Sequence, residues 1–224
     1  MKDRAVTAGG VADAVRAARA LVFDFDGTLV DSNPIKWRAF ESCFAGAGDR
    51  RAEILAYCRG HHHTPRSVKF RHVYESILGL PYTPAVADDL ESRFAALTTD
   101  RIIAAPERPG TTAFVAGARR GHFTALLSST PHDTLCHIVE ARGWRGWFDD
   151  VRGAPVDKAA WIAALRAARD LAPGDVVFFG DTPEDAAAAA GCTFVAVGGE
   201  GLAAAHSIAD FTVFTGGAWA SDGS

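Results

Sequence analysis

Lysine is scarce in this chain: four lysines stand against nineteen arginines, so a lysine placed where chemistry wants one carries more meaning than usual. Cysteine is sparse as well. Cys43, Cys58, Cys136 and Cys192 lie far apart with no CxxC pair, which excludes a disulfide frame and the usual zinc spacings. Reduced thiols in a cytoplasmic protein are the expectation. No run of about 18 apolar residues is present to span a bilayer. Residues 5–19 are broken by Gly9, Gly10, Asp13, Arg16 and Arg19, so no apolar signal segment is read there, and a soluble protein without a membrane partner is expected. Nor is there a basic block. With a net charge of −4 the chain lacks the positive surface that nucleic acid or an anionic membrane requires, and a small molecule is the better partner.

What is present is an ordinary globular composition, 48% hydrophobic over 224 residues, enough for a buried core. Short β-favouring apolar runs occur at Ala20–Phe25, Phe123–Ser128, Val176–Gly180 and Thr193–Val197, with a weaker one at Phe211–Phe214. Such runs read as buried parallel strands. Between them lie helical segments: Thr111–Arg120, Pro131–Arg142 with Thr130 as its N-cap, Lys158–Arg169, and Pro183–Ala190 closed by Gly191. The alternation predicts an α/β fold with a Rossmann-like parallel sheet, whose ligands gather at the C-terminal strand edge.

From Pro34 to about Glu107 strands disappear and helical periodicity takes over, through Trp37, Phe40 and Phe44, then Ile54, Leu55 and Cys58, then Val68, Val73, Ile77 and Leu78. Thr83-Pro84 opens a further helix carrying Leu90, Phe94 and Leu97. The expected organisation is therefore an N-terminal extension (1–19), an α/β core (20–33 and 108–224) and an inserted all-helical cap domain (34–107).

Four features stand at predicted strand ends: Asp24-Phe-Asp26-Gly27-Thr, then Ser128, then Lys158, then Gly180-Asp181-Thr-Pro-Glu-Asp185. Side chains two apart on an extended backbone point the same way, so Asp24 and Asp26 present two carboxylates to one site. Like charges so close call for compensation. A hard divalent cation such as Mg²⁺ provides it, with Asp181 and Asp185 offering further oxygen ligands. Lys158 and the Ser128 hydroxyl suit phosphate oxygens.

This DxDGT sequence, the serine after an apolar strand, the isolated lysine and the GDxxxD sequence resemble, in order, the four motifs of the haloacid dehalogenase superfamily. The helical insert resembles the cap of its phosphoglycolate phosphatase and beta-phosphoglucomutase branch. The resemblance implies that Asp24 attacks phosphorus to form an aspartyl phosphate, and that Asp26 acts as general acid and then general base. It implies Mg²⁺ held by Asp24, the backbone carbonyl of Asp26 and Asp181, with Asp185 a ligand, an orienting group or simply a helix cap. Ser128 and the amides of Gly27 and Ser129 would cradle the phosphoryl group, and Lys158 would neutralise its charge. Haloacid dehalogenases and phosphonoacetaldehyde hydrolases lack an acid at the place of Asp26, so its presence favours phosphoester chemistry.

In the insert, the polar loop Gly60-His-His-His-Thr-Pro-Arg66-Ser-Val-Lys69 resembles the specificity loop of capped relatives. Arg66, assisted by Lys69, would meet the part of the substrate that is not transferred. His61-His62-His63 reads as a polar loop rather than a metal site, since consecutive residues do not converge on one face. Trp144 and Trp147 read as packing residues. The implied activity is Mg²⁺-dependent hydrolysis of a small phosphate monoester, such as a phosphosugar or a related polyol or acid phosphate. Two alternatives remain open: a phosphomutase using the same motifs, and a non-catalytic binding protein, against which the intact motifs argue. The sequence gives no indication of oligomeric state.

Overall fold

Asp24 and Asp181 close two adjacent strands of one parallel sheet in the computed structural model, which describes residues 8–61, 64–189, 191–198, 202, 204 and 206–215. The strands are β1 (Ala20–Phe23), β2 (Phe123–Pro131), β3 (Asp150–Ala154), β4 (Val176–Gly180), β5 (Thr193–Val197) and β6 (His206–Ile208). Their order is β3-β2-β1-β4-β5-β6, so chain direction through the sheet reverses beside β1. The crevice beyond the C-terminal ends of β1 and β4 is therefore the switch point where α/β sheets bind ligands.

Alternate residues of each central strand face opposite layers. Leu21, Phe23, Val177 and Phe179 pack against α1 (Ala8–Ala17), α6 (Thr111–Ala118) and α7 (His132–Ala141). Ala20, Val22, Val176 and Phe178 pack against α8 (Lys158–Arg169) and α9 (Pro183–Ala188). Phe23 stacks on Phe179 with ring centroids 5.1 Å apart. Each such fully buried side chain contributes roughly 1.5–3 kcal/mol. The sheet layer thus fixes the two strand ends that carry the aspartates.

Helices α2 (Asn33–Cys43), α3 (Arg51–Gly60), α4 (Arg66–His72) and α5 (Pro84–Ile103) come between β1 and α6, and no strand lies among the described residues there. Thr83 caps α5, its hydroxyl accepting from the Val86 N–H. These helices bury a cluster of their own, built on Phe40, Phe44, Ile54, Phe70, Leu90 and Phe94. The chain leaves and rejoins the sheet layer through two adjacent crossings: the Asp31 N–H donates to Pro106 O at 3.1 Å and the Arg108 N–H to Leu29 O at 2.9 Å.

Three local expectations are corrected. Phe211–Phe214 forms a 3₁₀ turn, not a strand. Asp210 accepts from the Thr212 N–H, and Phe211 and Phe214 are both buried while Val213 is exposed, a spacing of three that a strand cannot give. Thr130 does not cap α7: β2 runs on to Pro131, and the Thr130 hydroxyl points into the crevice. Two edge strands, β3 and β6, went unread. His62 and His63 lie outside the described residues, while Trp144 and Trp147 stack at 4.8 Å in the packing role expected of them. Among the described residues no helix is long and apolar enough to cross a membrane.

Candidate active site

Asp24 leaves the end of β1 with its N–H donating to Phe179 O at 2.9 Å, which continues the β1–β4 pairing by one residue and locks its backbone. Its carboxylate is buried and receives Lys158 Nζ at 2.6 Å. Lys158 opens α8 and also reaches Asp185 Oδ1 at 2.7 Å. The other oxygen of Asp185 accepts from the Thr182 hydroxyl at 2.7 Å and the Thr182 N–H at 3.3 Å, while the Asp185 N–H donates back to that hydroxyl. Asp185 is thus at once a capping-box partner and the anchor that aims Lys158. Gly180 permits this, because a Cβ there would lie 2.5 Å from the Asp185 Cβ.

Asp181 sits across from Asp24 at the end of β4. Thr28 donates to its Oδ1 at 3.1 Å and Asn33 to its Oδ2 at 3.4 Å. Oxygens of Asp24, Asp181 and Asp185 all lie within 4.8 Å of one another. Gly27 turns beneath them at φ +85°, and a Cβ would collide with the Asp181 carboxylate. Its N–H donates to Val30 O at 2.8 Å, so the Gly27 amide serves the loop and is not turned to the crevice as a phosphate donor.

Asp26 is held by four donors. Ser32 reaches Oδ1 at 2.6 Å; Lys36 Nζ at 2.6 Å, the Thr130 hydroxyl at 2.8 Å and the Ser128 hydroxyl at 3.3 Å reach Oδ2. Lys36, Ser32, Thr28 and Asn33 were not singled out as site residues from sequence, and Thr130 was read there only as a helix cap. One signal was available for Lys36: the lysine scarcity that raised the weight of Lys158 applied to it equally.

Burial raises Asp26, but the Lys36 ammonium and the hydrogen bonds from Lys36, Ser32 and Thr130 outweigh it and hold the carboxyl below its ordinary range. Burial pushes Asp24 up; Lys158 opposes this, while Asp185, Asp181 and Asp26 add to it. Burial and the neighbouring Asp185 push Asp181 up to about 6. Burial disfavours the charge on Lys158, yet Asp24 and Asp185 outweigh it and hold the ammonium above its ordinary value. The carboxylate oxygens that Asp24, Asp181 and Asp185 bring together suit a hard divalent cation.

These groups line a cavity of about 400 Å³ whose other side is formed by Trp37, Phe40 and Lys69, with Ser129 at its margin. A smaller cavity of about 60 Å³ adjoins it, sharing Lys36, Phe40, Lys69 and Ser129. Arg66 lines only the smaller one. It is tied to Glu91 at 2.5 Å and lies 4.7 Å over the Phe94 ring.

The sequence model of the haloacid dehalogenase-like hydrolases matches residues 18–193 of this chain. No curated protein matches it. Among solved structures, it resembles a predicted phosphoglycolate phosphatase from Haemophilus somnus 129PT (18% identity, TM-score 0.70, covering 89% of this chain and 97% of that one). It also resembles CbbY from Rhodobacter sphaeroides in complex with phosphate (22%, 0.67, 88% and 96%). A third likeness is to the hydrolase YfnB from Bacillus subtilis bound to magnesium (13%, 0.64, 88% and 97%). At these identities the structural likenesses establish the fold.

Proposed function

The chain belongs to the haloacid dehalogenase-like hydrolase family, and we propose that within it this protein is a Mg²⁺-dependent phosphatase of small phosphate monoesters, working through a phosphorylated Asp24. The observation that carries this reading is the pairing of two differently held carboxylates at one sheet edge. Asp24 is fixed beside Lys158 and the acidic cluster, and Asp26 is held two residues on by hydroxyls and Lys36. One carboxylate is placed to bond and the other to move a proton.

The donor set fits a hard divalent cation: Asp24, Asp181 and the Asp26 backbone carbonyl would hold it, with Asp185 aiming Lys158 from beside them. Bound there, Mg²⁺ would cancel the charge that keeps an anionic phosphate from an anionic nucleophile. An Asp24 oxygen attacks phosphorus in line, the ester P–O bond breaks, and Asp26, having taken up a proton from solvent against the hold of Lys36, gives it to the leaving oxygen. Asp26 then takes a proton from water as that water attacks phosphorus, the Asp24–phosphorus bond breaks and inorganic phosphate leaves. Ser128 and the Ser129 amide bind the phosphoryl oxygens, and Lys158 keeps its charge throughout because two carboxylates hold its proton.

Residues 34–107 act in this reading as the cap. It sets Trp37, Phe40 and Lys69 over the reacting carboxylates and keeps water out. Arg66, paired with Glu91, shapes the smaller cavity. The volume of about 400 Å³ suits a phosphorylated metabolite of sugar size. Incubation with a panel of phosphate monoesters and Mg²⁺ tests the proposal. Free phosphate that disappears on chelation supports it. Accumulation of an isomeric phosphate would assign the chain to the mutases instead, and no turnover of any ester would remove the catalytic reading.

A further inference from the structure

The turn at Gly27 must be both narrow and rigid. A side chain has no room there, since a Cβ would lie 2.2 Å from Asp181 Oδ2 and 2.5 Å from Asn33 Nδ2. Glycine fits, but glycine is also the residue whose backbone swivels most freely. The next residue, Thr28, places its hydroxyl between two carboxylates of the acidic cluster, 3.1 Å from Asp181 Oδ1 and 3.5 Å from Asp24 Oδ2. Whatever holds the Gly27 turn therefore sets the spacing of those carboxylates.

The hold comes from Arg108, which stands where the chain re-enters the sheet layer after α5. Nε and Nη2 of its guanidinium both donate to Gly27 O, at 3.0 and 2.5 Å. The Arg108 N–H and the Thr111 hydroxyl donate to Leu29 O at 2.9 and 3.3 Å, so a second carbonyl of the turn is pinned from the same segment. Gly198, beyond β5, leaves space for the guanidinium: a Cβ there would come within 2.5 Å of Nη1. The peptide joining Gly27 to Thr28 is planar and trans, so a fixed Gly27 carbonyl fixes the direction in which Thr28 departs. The Gly27 N–H donates to Val30 O, which fixes the preceding peptide as well.

We propose that Arg108 is a positioning residue for the metal site. Through Gly27 and Thr28 it keeps Asp24 and Asp181 at the separation a divalent cation needs, while touching neither cation nor substrate. This rests on the Mg²⁺ site proposed for the protein and adds to it a residue that approaches from behind the aspartate loop. The sign of the effect separates positioning from a simple field. A guanidinium near a cation site repels the cation, so if only its charge mattered, its removal would tighten Mg²⁺ binding. A positioning role requires the opposite.

The test is Mg²⁺ binding by the substrate-free protein, measured by calorimetry, with circular dichroism read beside each titration. Arg108→Met should weaken binding by at least about 10-fold, the lower end of what the loss of an outer contact costs a metal site. Unchanged or tighter binding in the folded variant overturns the proposal. Should that variant fold poorly, Gly198→Ala decides instead: it keeps Arg108 but drives its guanidinium off Gly27, and unchanged binding there overturns the proposal equally. With p-nitrophenyl phosphate, Arg108→Met should raise the Mg²⁺ concentration for half-maximal rate by at least about 10-fold and keep kcat at saturating Mg²⁺ within about 3-fold of wild type. A kcat that stays low at saturating metal would overturn the positioning role. Wild-type protein that binds Mg²⁺ yet hydrolyses nothing loses the phosphatase reading, and the calorimetry still decides on Arg108. Wild-type protein that takes up no Mg²⁺ removes the metal site and this proposal together.

Discussion

Lys36 Nζ lies 2.6 Å from Asp26 Oδ2, an ion pair that ties helix α2 to the loop following β1. Its second contact, 3.3 Å to the Thr130 hydroxyl, places one ammonium between the insert, the aspartate loop and the end of β2.

Replacing Lys36 by Met should lower kcat for p-nitrophenyl phosphate by about 10- to 100-fold, since a charge-assisted bond to Asp26 is lost. The same ammonium holds the Asp26 carboxyl below its ordinary range, so without it the carboxyl takes up a proton at higher pH. Asp26 must be protonated to serve the leaving oxygen, so the alkaline limb of the kcat/KM profile should move to higher pH. An unmoved limb would show that Lys36 does not set the charge of the group that limits the rate.

Thr130→Val removes the hydroxyl that donates to Asp26 at 2.8 Å and keeps the side-chain shape. A loss in kcat/KM worth about 1.5–3 kcal/mol is expected, the range for a hydrogen bond to a charged group. Steady-state kinetics on the purified variant, with its circular dichroism unchanged, check this. Full activity would return Thr130 to a packing role.

Gly27 and Gly48 separate backbone strain from site disruption. Both have positive φ, +85° and +55°, but a Cβ at 48 meets open space while one at 27 meets the Asp181 carboxylate and Asn33. Gly48→Ala should cost only about 1 kcal/mol of stability and leave the Mg²⁺ requirement alone. Gly27→Ala should cost roughly 1–3 kcal/mol and also raise the Mg²⁺ concentration needed for half activity. Denaturant melts and a metal titration of both proteins decide it.

Burial of Lys69 should cost the fold stability. Its folded value of about 8 lies below the ordinary 10.5, so between the two the unfolded chain binds more protons than the folded one, and stability from this group rises with pH across that window. At pH 7 the charged, buried ammonium burdens the fold. Lys69→Met should then raise the melting temperature, by about 2–4 °C for each kcal/mol gained. A variant that melts lower would show that Lys69 supports the cap instead.

Much of the sheet was legible because its central strands are buried on both faces and read as unbroken apolar runs, as Val176–Gly180 does. β3 was hidden by its own composition: Asp150-Val-Arg-Gly-Ala carries two charges, and its pattern is that of an edge strand half open to solvent. Phe211–Phe214 misled for the opposite reason, since four β-favouring residues were turned by the Asp210 cap. At the site, Asp24, Lys158, Asp181 and Asp185 could be placed because each stands at a strand end or helix start, and Ser128 because it closes the apolar run of β2, where fold alone brings them to one edge. The partners of Asp26 could not. Lys36 and Thr130 reach it where one residue of α2 meets the end of β2, and Ser32 through the turn of the loop after β1, contacts that no local sequence pattern marks.

Covalent labelling of Asp24 is the most direct test of the catalytic account. Substrate carrying a radioactive phosphoryl group is mixed with enzyme and Mg²⁺, quenched in acid within milliseconds, and the protein is digested and mapped. The account predicts acid-stable, hydroxylamine-labile label on the peptide containing Asp24, absent from the Asp24→Asn protein, whose turnover falls by at least about 1,000-fold, or ~4 kcal/mol. Label on a different residue, or phosphate release that persists in Asp24→Asn, would contradict it.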